Sequence, residues 1–183
     1  KRASTRSSRW HGNMEYREPT SKYKSRKHGG TSNGSTDEHI KSKQFYHMNI
    51  LAFGASTSKS SINQQFAAFA AHKLDSKKVE VLDLSKYQLP IYSVDEESEN
   101  GVPQDAISFY NTIQAADVLV ISMAEHNGSY TAAFKNLFDW ATRHELQVFA
   151  NKPMILLATA PGGRGGLGVL ETATDRFPRH GGN

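Results

Sequence analysis

Four repeats of a short apolar run followed by a helical stretch predict an α/β protein, a doubly wound parallel sheet in three αβα layers. Three observations carry this. Runs such as Val118–Met123 and Met154–Ala158 are short and nearly unbroken, which suits strands covered on both faces. Three of the four runs give way to a loop rich in serine, glycine or asparagine. Beyond each such loop the apolar positions recur at helical spacing.

The elements follow in order. Asn49 to Phe53 is the first strand, broken by Gly54 and a run of serines. Ile62, Phe66, Phe69, Ala70 and Leu74 then fall on one helical face, the expected buried face of the first helix. Val79, Val81 and Leu84 mark a second strand. The acidic run Asp95, Glu96, Glu97 and Glu99 is simplest as a solvated loop. Pro103 suits the first turn of a helix reaching about Ala115. Val118–Met123 is the third strand, the polar stretch Glu125 to Ser129 a loop, and Phe134, Leu137, Phe138 and Ala141 the buried face of the next helix. Met154–Thr159, a glycine-rich loop and a helix near Val169–Phe177 complete the pattern.

The net charge of +4 is unevenly distributed. Residues 1–47 hold 11 Lys/Arg against 4 Asp/Glu, whereas residues 48–183 hold 11 against 14. From Lys1 to His39 there is no Leu, Ile, Val or Phe, so this segment lacks the apolar surface to offset an ordering cost of roughly 1–2 kcal/mol per residue. It reads as a disordered basic extension, a leader or non-native stretch, with Met48 as the natural start. Its basic character leaves nucleic-acid binding through residues 1–47 as a lesser alternative. No run approaches the roughly 18 apolar residues of a membrane span, and no apolar signal-peptide stretch stands at the start, so the expected location is the cytoplasm. With no Cys, disulfides, thiolate ligands and cysteine nucleophiles are excluded.

In doubly wound sheets ligands bind beyond the carboxyl ends of the strands, so the loops after strands one, three and four are the places for chemistry. The first, Gly54 to Ser61, sets Ser56, Thr57, Ser58 and Ser61 at a helix N-terminus, where free N–H groups and the dipole suit a phosphate. A Walker A loop is excluded because Ser58, not Gly, precedes Lys59. Capping by Ser60 or Ser61 explains one serine, not the cluster. The second loop carries Asn127-Gly128, which favours a tight turn with positive φ; Ser129 or Thr131 capping the next helix is its bland reading. The third runs from Gly162 to Gly168 and holds a formal G-x-G-x-x-G at 163–168. No acidic residue follows some 20 positions on, so its glycines are better read as letting backbone approach a flat ligand. Arg164 reads as a solvated cation. His72 and His144 are expected on helix surfaces, the histidines lack metal-ligand spacing, and no serine has a His/Asp escort. The sequons at Asn33 and Asn127 are discounted without a secretory signal.

Together the three loops resemble the NAD(P)H-dependent FMN reductase family, the flavodoxin-like group of quinone, chromate and azo-compound reductases. The matching stretches are Gly54 to Asn63, Ala124 to Tyr130 leading into Phe134-Lys-Asn-Leu-Phe-Asp-Trp140, and Asn151 to Met154 through the glycine-rich loop. Few other families place Glu-x-Asn-Gly-Ser before Lys-Asn-x-x-Asp-Trp. The resemblance covers residues 48–183.

It implies strand order 2-1-3-4-(5), with the fifth strand and closing helix of the family missing after the Phe177 to Gly182 region. It implies that Ser56, Ser58, Ser61 and Asn63 hold the FMN phosphate. Glu125, His126, Asn127 and Gly128, with Ser129 nearby, would lie along the flavin ring, and Pro161, Gly162 and Gly163 would cover another edge. The family's usual Arg is replaced by Ser58 and its Pro-Glu-Tyr by Ala124-Glu125-His126, so His126 becomes the side chain expected to tune the ring. The implied reaction passes a hydride from NAD(P)H to FMN and two electrons to a small acceptor, with no side-chain nucleophile and no metal. A flavodoxin-like electron carrier is the alternative. The resemblance also implies a homodimer or homotetramer.

Overall fold

The computed structural model describes residues 47–183 apart from Asp75 and Lys77. The basic extension assigned to residues 1–47 thus lies, but for His47, outside the described residues.

Six strands and five α-helices are described: β1 Asn49–Gly54, α1 Ile62–Ala71, β2 Lys78–Val81, α2 Val94–Asn100, α3 Gln104–Ala115, β3 Val118–Met123, β4 Glu125–His126, β5 Ser129–Tyr130, α4 Ala132–His144, β6 Met154–Ala158 and α5 Leu167–Arg176. The main sheet is parallel in order β2-β1-β3-β6, the expected 2-1-3-4. All six residues of β3 are buried because strands flank it and helical layers cover both faces. The two outer strands are less covered. Beyond β6 the chain begins a further parallel rung: Lys152 bridges Gly182, and Met154 N–H donates to the Asn183 carbonyl at 2.6 Å. One edge of the sheet is therefore met at its start by residues 182–183.

One face of the sheet packs on α1 through Ile50, Ala52, Val118 and Val120 against Ala67 and Ala71. The other, larger core receives α3, α4 and α5. Its centre is aromatic. Phe134 lies 6.1 Å from Phe177, and Phe177 lies 4.6 Å from Phe149. Tyr130 stacks on Phe177 at 6.2 Å.

Three expectations change. The first helix turns its face. Ile62, Phe66 and Phe69 are exposed, Phe69 at 60%, while Asn63, Ala67 and Ala71 meet the sheet. The cause is close approach: a Cβ on Gly54 would stand 2.7 Å from the Asn63 carbonyl carbon and closer still to Gln64 N. Backbone this near admits only small residues at i and i+4. Next, the acidic run is a helix, not a loop. Ser93 caps it by accepting from Glu96 N–H at 3.0 Å, Asp95 to Glu97 sit at the favourable end of the dipole, and Gly101 closes it at φ 72°. Finally, β2 stops at Val81, and Leu84 is buried in a short 3₁₀ turn instead.

Two stability predictions follow from this packing. Gly54→Ala forces backbone apart and should cost about 2–3 kcal/mol in urea unfolding; an unchanged midpoint would refute the close contact. Burial pushes the Tyr130 hydroxyl up to about 12. Its folded value exceeds the unfolded one, so this contribution is complete below pH ~10 and is lost as pH rises through ~12. Tyr130→Phe should flatten that part of the alkaline stability curve.

Candidate functional site

The loops that follow β1, β3 and β6 meet at the carboxyl edge of the sheet, tied in pairs by side chains. Thr131 caps α4, accepting from Phe134 N–H at 3.2 Å and donating to the Ala55 carbonyl at 2.9 Å, which binds the first loop to the second. Asn63 binds the first to the third. Its Nδ2 donates to the Thr159 carbonyl at 2.9 Å, and its Oδ1 accepts from Thr159 N–H at 3.1 Å and from Ser122 Oγ at 2.7 Å. Glu125 binds the second to the third, its Oε1 accepting from Val169 N–H at 3.0 Å in the first turn of α5. A carboxylate there also faces the positive end of the helix dipole.

The first loop leaves several backbone donors unused. Ser56 N–H is spent on the Gly54 carbonyl, Ser58 N–H on Ser56 Oγ, and Ser61 N–H on the Ser58 carbonyl. Among the described residues, the amides of Thr57, Lys59 and Ser60 have no partner. Ser61 is the N-cap of α1, accepting from Gln64 N–H at 3.2 Å. Beside the loop lies a hollow of about 250 Å³ whose walls include Ser56, Ser58, Lys59 and Asp83. A second hollow, of about 310 Å³, opens between Thr57, the Leu84–Leu89 segment and the start of α4.

The second loop is a two-residue hairpin between β4 and β5, in which Glu125 pairs with Tyr130 and His126 with Ser129. Asn127 and Gly128 take φ 52° and 77°, the positive values the dipeptide predicts. His126, Asn127, Gly128 and Ser129 are exposed on it, and Glu125 is half-buried. In the third loop Pro161, Gly162 and Gly163 are exposed. Gly165 and Gly166 need glycine for their backbone, at φ 59° and 89°. Gly162 and Gly163 do not: neither has positive φ, and a Cβ on either would meet nothing within 4 Å.

Of the twelve residues singled out from sequence, all lie in or beside the three meeting loops. They differ in what is free. Ser56 and Ser58 border the hollow. Ser61 is occupied as a cap, and the buried Asn63 amide is engaged by Ser122 and Thr159. Glu125 holds α5. Sequence reading passed over Lys59, although its charge stands beside Ser56 and Ser58. It also passed over Gln64, which accepts from Gly54 N–H and donates to the Leu82 carbonyl, both at 2.8 Å. His72 and His144 are exposed as expected, the latter lying edge-on to Tyr110 at 5.0 Å. Among the described residues no three His, Asp or Glu side chains are grouped to hold a metal ion.

A serine loop with free amides, a hairpin and a glycine loop at the carboxyl edge of a 2-1-3-4 parallel sheet define a doubly wound α/β protein of flavodoxin-like order. A family described as NADPH-dependent FMN reductase matches residues 48–182, and the chain belongs to it. An NADPH azoreductase of Bacillus sp. (strain OY1-2) is 34% identical over 104 residues, covering 56% of this chain and 55% of the relative. A quinone reductase of Escherichia coli K12 is 33% identical over 78 residues, 43% of this chain and 42% of the relative. The alignments thus span about half the length of these relatives. The flavoenzyme NAD(P)H:(acceptor) oxidoreductase FerB from Paracoccus denitrificans has the same fold, with TM-score 0.60, 22% identity, and 74% and 73% of the two chains covered.

Glu125→Ala should release Val169 N–H and speed its native-state hydrogen exchange about tenfold or more, at a cost of ~1–2 kcal/mol. Glu125→Gln keeps an acceptor and should stay near wild type. Equal exchange in all three proteins would show that the second and third loops are not coupled through this contact.

Proposed function

We propose that this protein is an NAD(P)H-dependent FMN oxidoreductase acting on a quinone-like or azo-type small acceptor. The observation that carries the reading is the first loop, where Ser56, Ser58 and Lys59 border one hollow and the amides of Thr57, Lys59 and Ser60 have no partner among the described residues. That donor set fits a phosphate and needs no Arg at position 58. Exposed Gly162 and Gly163 fit the edge of a flat ring, since nothing in the fold itself requires glycine at either place.

The chemistry supplied by bound FMN is hydride acceptance from NAD(P)H and two-electron delivery to the acceptor. Residues of the chain bind and orient. Ser56, Ser58, Lys59 and the free amides grip the phosphate, and Ser61 and Asn63 act one step back by fixing the loop. Asn127 and Gly128, exposed in the hairpin turn, would offer backbone N–H groups to the ring edge. His126, exposed on β4, offers a polar contact to the ring. Glu125 keeps the two ring-facing loops at a fixed separation. The family relationship supports a homodimer or homotetramer. No described helix is long and apolar enough to cross a membrane, and a cytoplasmic location agrees with this reading.

The test is a visible spectrum of the purified chain after FMN addition and removal of excess, followed by NADPH under argon. Retained flavin that bleaches, with steady NADPH oxidation when a quinone is added, is expected. Retained flavin without NADPH oxidation would identify an electron carrier instead. Lys59→Gln should weaken FMN binding about tenfold, the loss of one charge-assisted contact, and leave riboflavin binding unchanged because riboflavin has no phosphate. Equal losses for both flavins would remove Lys59 from the phosphate site.

A further inference from the structure

A cleft of about 550 Å³ lies in the outer layer, bounded by β5, by Lys135 near the start of α4 and by the second half of α5. It shares no residue with the two hollows beside the first loop, and of the residues assigned to flavin only Ser129 stands at its rim. Three cations line it, Lys135, Arg176 and Arg179, against one carboxylate, Asp175.

These cations are not equally occupied. Lys135 Nζ is held by Asp139 at 2.6 Å, one turn along α4. Arg179 stands 3.6 Å from Asp175, an ion pair without a hydrogen bond. The Arg176 side chain has neither an ion pair nor a hydrogen bond among the described residues. Beneath them sits Tyr130, its ring stacked on Phe177 and set edge-on to Phe134 at 5.6 Å. That packing fixes the ring, yet its hydroxyl is buried with no hydrogen-bond partner.

The donors therefore outnumber the acceptors. Guanidinium and ammonium groups only donate, and a buried phenol lacks the oxygen it would donate to. Two guanidinium groups beside a single carboxylate favour an oxyanion carrying more than one charge, and their planar forks match phosphate. A lone phosphate would leave most of the cleft empty, while about 550 Å³ falls within the range of small-molecule sites. We propose that this cleft binds the phosphate of a small organic phosphomonoester, gripped by Arg176 and Arg179 beside the wall that Tyr130 forms.

Calorimetric titration of the full chain with phenyl phosphate at constant ionic strength tests this, in FMN-loaded and FMN-free protein, with loading read independently from the visible spectrum. A single saturable site is expected, weakened at least tenfold by the double variant Arg176→Gln, Arg179→Gln. Both arginines are exposed, so helix content by circular dichroism should be unchanged. Binding in the FMN-free chain that ignores the arginine variants belongs to the serine loop and overturns the proposal. So does inorganic phosphate binding as tightly as phenyl phosphate, or an absence of saturation. NADP⁺ and NAD⁺ then identify the source. Competition by NADP⁺ alone assigns the cleft to the dinucleotide's 2′-phosphate, and competition by neither assigns it to a separate phosphorylated molecule; both results uphold the site.

Discussion

The buried amide of Asn63 is the contact on which the rest of this architecture depends. It stands where α1 leaves the first loop, and its three hydrogen bonds reach Ser122 on β3 and both backbone groups of Thr159 beyond β6. A parallel sheet supplies ladder bonds along its strands but none between the loops at their ends. Without this amide the serine loop and the glycine loop would be separate chains of independent mobility. Removing it would also strand the Ser122 hydroxyl in a fully buried position, at about 1–3 kcal/mol for an unpaired polar group. Thr131 and Glu125 supply the other two ties, so three loops from distant parts of the chain become one rigid rim.

The same requirement explains why α1 shows its large side chains to solvent. For Asn63 to reach β3, the helix must lie almost on the backbone of Gly54. Only Ala67 and Ala71 fit between helix and sheet at that distance, so Phe66 and Phe69 are turned away. Hydrophobic periodicity alone would place the phenylalanines inward, because it weighs side-chain burial and not interaxial distance. Close approach wins because a buried, satisfied amide and a backbone contact at Gly54 cannot be had together with a bulky interface.

How much of this was legible in the sequence follows from the reach of each signal. Strands β3 and β6, the hairpin turn at Asn127-Gly128 and the helix around Phe134 are local patterns, and all stand where the sequence puts them. Ser93-x-x-Glu96 is equally local, yet the acidic charge beside it suggested a solvated loop and masked the capping signal. The ties at the site were not legible, since they join residues 96, 76 and 44 positions apart and leave no periodic trace. Ser61 and Asn63 were expected at the phosphate by resemblance; the structure shows each engaged in holding the loop. Lys59 entered only in excluding a Walker A loop, because a single lysine among serines resembles any solvated cation until a hollow is seen beside it.

Glycine offers the sharpest separation between what the fold needs and what a ligand needs. Gly54 is required by helix approach and Gly166 by a positive φ, with Ala158 Cβ 3.0 Å from where its own Cβ would be. Gly168 is required because Glu125 Oε1 and the Gly128 carbonyl leave no room for a side chain. Each of these has a reason inside the chain, and a substitution there would be felt as lost stability. Gly162 and Gly163 have no such reason. Both lie in the turn after β6 without positive φ, and a Cβ on either would meet open space, so nothing among the described residues requires glycine there. A flat ring resting on the loop, as proposed above, would use that freedom, and the asymmetry within one short segment separates glycines the fold needs from glycines it leaves free.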